Sequence, residues 1–103
     1  MKNLILAAAV AALAAPAWAY ATTDAMTKAG CMACHAADKK IVGPSFKDIA
    51  AKYKGQTDLV AKLSAKVRKG GSGVFGPVPM APNPPEKISD ADLKAAIELI
   101  LKS

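Results

Sequence analysis

Both cysteines and the only histidine of this chain fall within five consecutive residues, Cys31-Met32-Ala33-Cys34-His35. The 103 residues suffice for one domain and no more. A domain of this size buries only about 60% of the surface that its unfolded form exposes, so its core needs a staple. A disulfide between cysteines three apart would close a tiny loop and contribute little. Zinc wants four ligands, and the motif exhausts every cysteine and histidine in the chain. A redox-active C-x-x-C pair belongs beside strands in a βαβ unit, and no alternating strand pattern is visible. The staple must be something that two thiols and one imidazole can hold together.

The N-terminal stretch reads as an export signal. Lys2 gives a short positive start, residues 4–13 are uncharged, apolar and rich in alanine, and Ala17-Trp18-Ala19 has the small-x-small pattern of a cleavage site. The apolar run is too short to be a permanent membrane anchor. Residues 1–19 are therefore expected to be a signal peptide cleaved after Ala19, with Ala21 as the alternative. Residues 20–103 are then the functional domain, outside the cytoplasm. If residues 1–19 are retained, they are expected as a helix making few contacts with that domain. Removing Lys2 lowers the formal net charge from +6 to +5. The lysines are spread along the chain, Arg68 is the only arginine, and no aromatic residues interleave with them, which argues against nucleic acid. An acidic protein partner fits the charge better.

Within residues 20–103, short helices alternate with glycine and proline punctuation. Thr22, Thr23 and Asp24 offer N-caps for a first helix running towards Gly30. After Gly43-Pro44, the residues Phe46, Ile49, Ala50 and Tyr53 recur at i, i+3, i+4 and i+7 and predict a second helix that stops at Gly55. Thr57 is the expected cap of a third, with Val60, Leu63 and Val67 as its buried stripe and Gly70-Gly71 as its end. The fourth is the best signalled. Ser89 caps it, Asp92 stands at its third position, Ile88 can staple onto Leu93, and Leu93, Ala96, Ile97, Ile100 and Leu101 form one apolar face.

Between Gly70 and Pro85 lie four glycines and five prolines, which can propagate neither a helix nor a central strand. So long a loop in so small a domain is usually either disordered or functional. Its apolar residues Val74, Phe75, Val78 and Met80 argue against disorder. The expected fold is all-α: about four short helices, one stiff loop, and something in the middle for them to wrap around.

C-x-x-C-H is the attachment pattern of a c-type haem. Two cysteines three apart on a helical turn point the same way, so both sulfurs can reach one edge of the ring. The following His35 is then carried beneath the iron as its proximal ligand. Covalent attachment of this kind takes place outside the cytoplasm, in agreement with the export signal. With no second histidine, bis-histidine ligation within one chain is impossible. Met1 leaves with the signal, Met32 sits inside the motif, and Met26 is expected in the core. Met80, in Gly76-Pro77-Val78-Pro79-Met80, remains as the second axial ligand, with a lysine as the alternative.

The chain resembles the short bacterial class I monohaem cytochromes c. The likeness covers the whole of residues 20–103. It rests on Gly30-Cys31-Met32-Ala33-Cys34-His35, Val42-Gly43-Pro44, Lys69-Gly70-Gly71-Ser72-Gly73-Val74, and Gly76-Pro77-Val78-Pro79-Met80 with Pro82-Asn83. The resemblance implies a small class I cytochrome c fold and a periplasmic electron carrier, expected as a monomer. Its partners would be acidic redox proteins such as a terminal oxidase, a nitrite reductase or a cytochrome bc1-type donor. It further implies that the Pro44 carbonyl accepts the His35 proton, that Asn83 lies against the Met80 sulfur, and that Lys66 approaches a haem propionate. Phe75 replaces the family's usual tryptophan, and the segment Pro84-Pro85-Glu86-Lys87 is longer than usual.

With both axial positions filled, the iron keeps no open site for a substrate, which argues for a carrier and against an enzyme. The rival is a haem enzyme or gas-binding protein whose sixth ligand is displaceable. The haem edge near Cys31 and Met32 is expected to carry a small apolar patch, ringed by some of Lys28, Lys39, Lys40, Arg68 and Lys69.

Overall fold

The computed structural model describes the backbone of residues 17–103, and side chains from Tyr20 onward. The apolar run of the expected signal peptide lies outside the described residues. Those residues form four α-helices and no strand: α1 Ala17–Lys28, α2 Phe46–Tyr53, α3 Leu59–Lys69 and α4 Asp90–Leu101. A single 3-10 turn, Cys31–Ala33, follows α1. The fold is all-α, as the sequence implies.

The centre is α4, which packs against each of the other three helices. Its start is set locally: the Ser89 hydroxyl accepts the Asp92 backbone N–H at 3.1 Å, and Asp90 and Asp92 sit in the first turn, where the helix dipole favours negative charge. Leu93, Ala96 and Ile97 are buried along one face, and Ile88, just before the cap, is buried with them. Against this face lie Met26 from α1, Phe46 from α2 and Leu63 from α3. Met26 is 1% exposed, so it is core, as expected.

Two helix starts differ from the sequence reading. The first helix begins at Ala17, upstream of Thr22, Thr23 and Asp24, which are interior residues. No glycine or proline interrupts residues 17–28, so nothing stops the helix from extending back past the expected caps. The third begins one residue later than expected: Asp58, not Thr57, is its N-cap. Asp58 adopts a left-handed conformation (φ 58°) and makes no side-chain capping bond. The start of α2 has a cap of its own, the buried Ser45, whose hydroxyl accepts the Asp48 N–H at 3.0 Å.

Arg68 is also placed differently. Its guanidinium is mostly covered and turned towards the chain. One nitrogen donates to the carbonyls of Asn83 (3.0 Å) and Ile88 (2.7 Å), and the other meets Asp90 Oδ1 at 2.6 Å. It is therefore spent inside the fold and is not part of a docking ring. The two halves of this contact are unequal. The Asp90 side chain is 93% exposed, so water screens its pairing, whereas the carbonyl bonds are partly buried. Arg68→Ala is expected to lower the stability of the haem-loaded protein by about 2–4 kcal/mol. Asp90→Ala should cost less than about 1 kcal/mol. Denaturant midpoints of the two variants check this ordering, and equal losses would contradict it.

Candidate haem site

The motif sits at the junction of α1 and the loop that returns to α2. Gly30, at φ 89°, makes the left-handed step that ends α1 and starts the 3-10 turn. The turn is closed by Cys34 N–H and His35 N–H, which both donate to the Cys31 carbonyl, at 3.2 and 3.0 Å. Cys31 and Cys34, both unbridged, are thus held on one turn, Cys31 half-buried against the core and Cys34 exposed. Burial pushes the Cys31 thiol up from its ordinary pKa, while a backbone hydrogen bond and the Lys87 ammonium pull the other way.

The loop after His35 is stitched back onto its surroundings. Gly43 N–H donates to the Cys34 carbonyl at 2.7 Å, and the first residues of α2, Phe46 and Lys47, donate to the carbonyls of Ala36 and Ala37. This closure fixes the imidazole on three sides. His35 Nδ1 lies 2.7 Å from the Pro44 carbonyl, which can only accept, so Nδ1 carries the proton. Nε2 is then the ring nitrogen with a free lone pair. The Phe46 ring stacks on one face of the imidazole at 5.6 Å between centroids and 24° between planes. Gly43 also approaches the ring so closely that a Cβ there would stand 2.7 Å from Cε1.

This close approach has a measurable consequence. Gly43→Ala must displace the imidazole, because Phe46 and Pro44 restrict the directions in which the ring can move. The variant should bind haem with a perturbed proximal ligand, seen as a shifted Soret band in the reduced protein and a stability loss of about 1–3 kcal/mol. An unchanged spectrum would mean that the ring has freedom this packing denies it.

Met80 comes from elsewhere in the chain. The loop after α3 leaves at Gly71 and returns at Met80, and the two residues exchange both backbone bonds: Gly71 N–H to Met80 O at 3.0 Å, and Met80 N–H to Gly71 O at 2.8 Å. No hydrogen bond among the described residues joins Met80 to the Cys31–His35 turn. Asn83 differs from what the resemblance implies. Its amide donates to the Val67 carbonyl (3.3 Å) and the Ala81 carbonyl (3.0 Å), so both amide hydrogens serve backbone and neither meets the Met80 sulfur. Phe75 has Lys52 Nζ over its ring at 5.6 Å.

A family model described as Cytochrome c matches residues 21–103. The chain belongs to the cytochrome c family. It is 54% identical over 77 residues to cytochrome c2 of Rubrivivax gelatinosus, covering 75% of this chain and 91% of that one. To cytochrome c-552 of Nitrosomonas europaea it is 45% identical over 93 residues, 90% of this chain and 88% of the other. The crystal structure of Nitrosomonas europaea cytochrome c552 superposes with a TM-score of 0.71 at 46% identity, covering 78% of this chain and 96% of that one. The class 1 cytochrome MtoD of Sideroxydans lithotrophicus gives 0.69 at 30% identity, over 82% and 94%.

As a small class I monohaem cytochrome c, the protein is an electron-transfer protein with one covalently bound haem c. The residues present fit that group. Two unbridged thiols share one turn, an imidazole keeps its Nε2 available, and the glycine beside that imidazole leaves the space it occupies.

Of the basic residues expected around the motif, Lys28, Lys39, Lys40 and Lys69 are exposed, and Lys28 pairs with Asp24 at the surface (3.0 Å). Lys87 lies close to them as well. It acts electrostatically on Cys31 and lines the same groove as Lys28, between α1 and residues 85–89. Its position depends on α4 packing against α1, which no local pattern encodes. Among the described residues, no helix is long and apolar enough to cross a membrane.

Proposed function

We propose that this cytochrome is an exported, periplasmic single-electron carrier whose haem is attached through Cys31 and Cys34 and ligated axially by His35 and Met80. The observation that carries this reading is the His35–Pro44 hydrogen bond. By fixing the proton on Nδ1, it leaves Nε2 as the ligating nitrogen, and the carbonyl raises its basicity. Bound haem c supplies an iron that alternates between Fe(III) and Fe(II).

The protein's own residues then have three tasks. The Cys31–Cys34 turn and the Gly43–Phe46 cradle hold the proximal side. The Gly71–Met80 backbone pairing presents the methionine from a loop stiffened by Pro77, Pro79 and Pro82. A filled sixth position leaves nothing for a substrate to bind, which makes the protein a carrier and not an enzyme or a gas binder. Lys66, on the exposed last turn of α3, is the residue proposed to meet a haem propionate.

The partners are redox proteins with acidic faces, steered by Lys28, Lys39, Lys40, Lys69 and Lys87. The decisive experiment is an optical spectrum of the native protein, oxidised and reduced, with carbon monoxide added to the reduced form. The weak methionine-to-ferric-iron band and refusal of carbon monoxide are expected. Rapid carbon monoxide binding at neutral pH would overturn the carrier reading. For the steering lysines, the bimolecular electron-transfer rate should fall as salt is raised through 0.1 M, where the Debye length is about 10 Å; a flat salt dependence removes them from the account.

A further inference from the structure

The segment that follows Met80 is poorly equipped to hold itself in place. In Ala81-Pro82-Asn83-Pro84-Pro85, three of five residues are prolines and lack a backbone N–H. Asn83 N–H is shared between the carbonyls of Val67 and Arg68, at 3.1 and 3.3 Å. The Asn83 side chain reaches Val67 O and Ala81 O. Every one of these bonds except that to Ala81 runs to the last turns of α3. None reaches α4, the helix that packs against α1 and thus connects to the Cys31–His35 turn.

Towards α4 the segment has, among the described residues, only the Pro84 carbonyl, which accepts from Lys87 N–H (2.9 Å) and Ile88 N–H (3.4 Å), and Arg68 reinforces that link. Arg68 is the only arginine among fourteen basic residues, and its side chain is 21% exposed. From the end of α3 it reaches Asn83 O at the exit of the Met80 loop. It also reaches Ile88 O and Asp90 Oδ1, on either side of the α4 cap. A guanidinium can make these bonds at once because its donors are fixed in one plane; a lysine ammonium offers one point of contact.

We infer that Arg68 is a positioning residue for the sixth ligand: by clasping Asn83, Ile88 and Asp90 it couples the Met80 loop to α4 and holds the methionine in place. The inference rests on the reading of Met80 as an axial ligand. On that reading, opening of the clasp lets the 80–83 segment lift. Exogenous ligand then reaches the ferric iron through the fraction of molecules in which Met80 is off.

The test is the rate at which imidazole binds the ferric haem-loaded protein, measured for the wild type and for Arg68→Ala, Arg68→Lys, Ile100→Ala and Met80→Ala. Hydrogen exchange of the Met80 and Asn83 amides is followed in parallel. Arg68→Ala should bind imidazole about tenfold faster than the wild type, the effect of losing one charge-assisted bond in the closed state. Met80 and Asn83 should lose protection, while the amides of α1 keep theirs. Arg68→Lys should fall between the two. Ile100→Ala, which thins the core at the far end of α4 and leaves the clasp residues alone, should bind at nearly the wild-type rate.

The outcomes separate cleanly. If Met80→Ala binds imidazole no faster than the wild type, Met80 is not the ligand, and the underlying reading fails. If Met80→Ala is fast but Arg68→Ala matches the wild type, only the clasp fails. If Ile100→Ala accelerates binding as much as Arg68→Ala does, Arg68 acts through general stability and the positioning role is overturned. Should Arg68→Ala not fold, Arg68→Lys carries the same comparison.

Discussion

Met80→Ala is expected to keep its fold and its haem while the reduction potential falls by on the order of a hundred millivolts or more, because axial-ligand identity sets much of a haem's potential. The fold should survive because the structural work at position 80 belongs to the backbone. The two bonds with Gly71 use the Met80 N–H and carbonyl, which alanine retains. Haem retention follows from attachment through Cys31 and Cys34, which are on a different element. The methionine-to-ferric-iron band should vanish, and the reduced variant should bind carbon monoxide readily. Among the described residues no other methionine is placed to compensate: Met26 is 1% exposed in the core, and Met32 lies within the attachment motif. A variant with its band and potential intact would move the sixth ligand elsewhere, with a lysine as the next candidate.

Several features of the site can be read from the sequence because their causes are local. The α4 helix has its cap, its acidic first turn and its apolar stripe all within residues 88–101, and each is found as read. The spacing of Cys31, Cys34 and His35 requires only a turn, and a turn is what forms. Pro44 as the partner of His35 came from the resemblance, not from spacing, yet the bond is made.

The features that local sequence does not reveal have causes far away along the chain. Arg68 looks like any surface cation at a helix end until residues 83–90 are folded beside it. The Asn83 amide has several possible acceptors nearby, and only the closeness of α3 selects Val67 O. Lys87 reaches the neighbourhood of Cys31 through helix packing alone. The start of α3 is an intermediate case. Thr57 is a good cap by type, but the chain turns through Gly55 at φ 81° and then Asp58 at φ 58°, which puts the helix one residue on.

The second large effect is expected at Gly70, where local conformation and long-range contact coincide. Gly70 ends α3 with φ 71° and ψ −158°, a region open essentially to glycine alone. Its N–H closes the helix on the Lys66 carbonyl at 2.7 Å. A Cβ at this position would collide with the Met80 carbonyl oxygen and lie 2.9 Å from both Ala81 C and Pro82 N. Every one of those atoms is backbone, so no rotamer change relieves the clash. At Gly43, by contrast, the obstacle is a side chain. Gly70→Ala should therefore cost roughly 3 kcal/mol or more, the sum of a strained conformation and overpacking. The strain should appear first at Met80, the proposed sixth ligand, since the atoms pushed away are those of Met80 and its two successors. A partial loss of the methionine-to-ferric-iron band, at denaturant concentrations where the helices are still intact, is the expected signature. If the band and the helical signal are lost together at a lowered midpoint, then the Met80 loop and the helices form one cooperative unit, and Gly70 sets the stability of the whole domain without selectively governing the ligand.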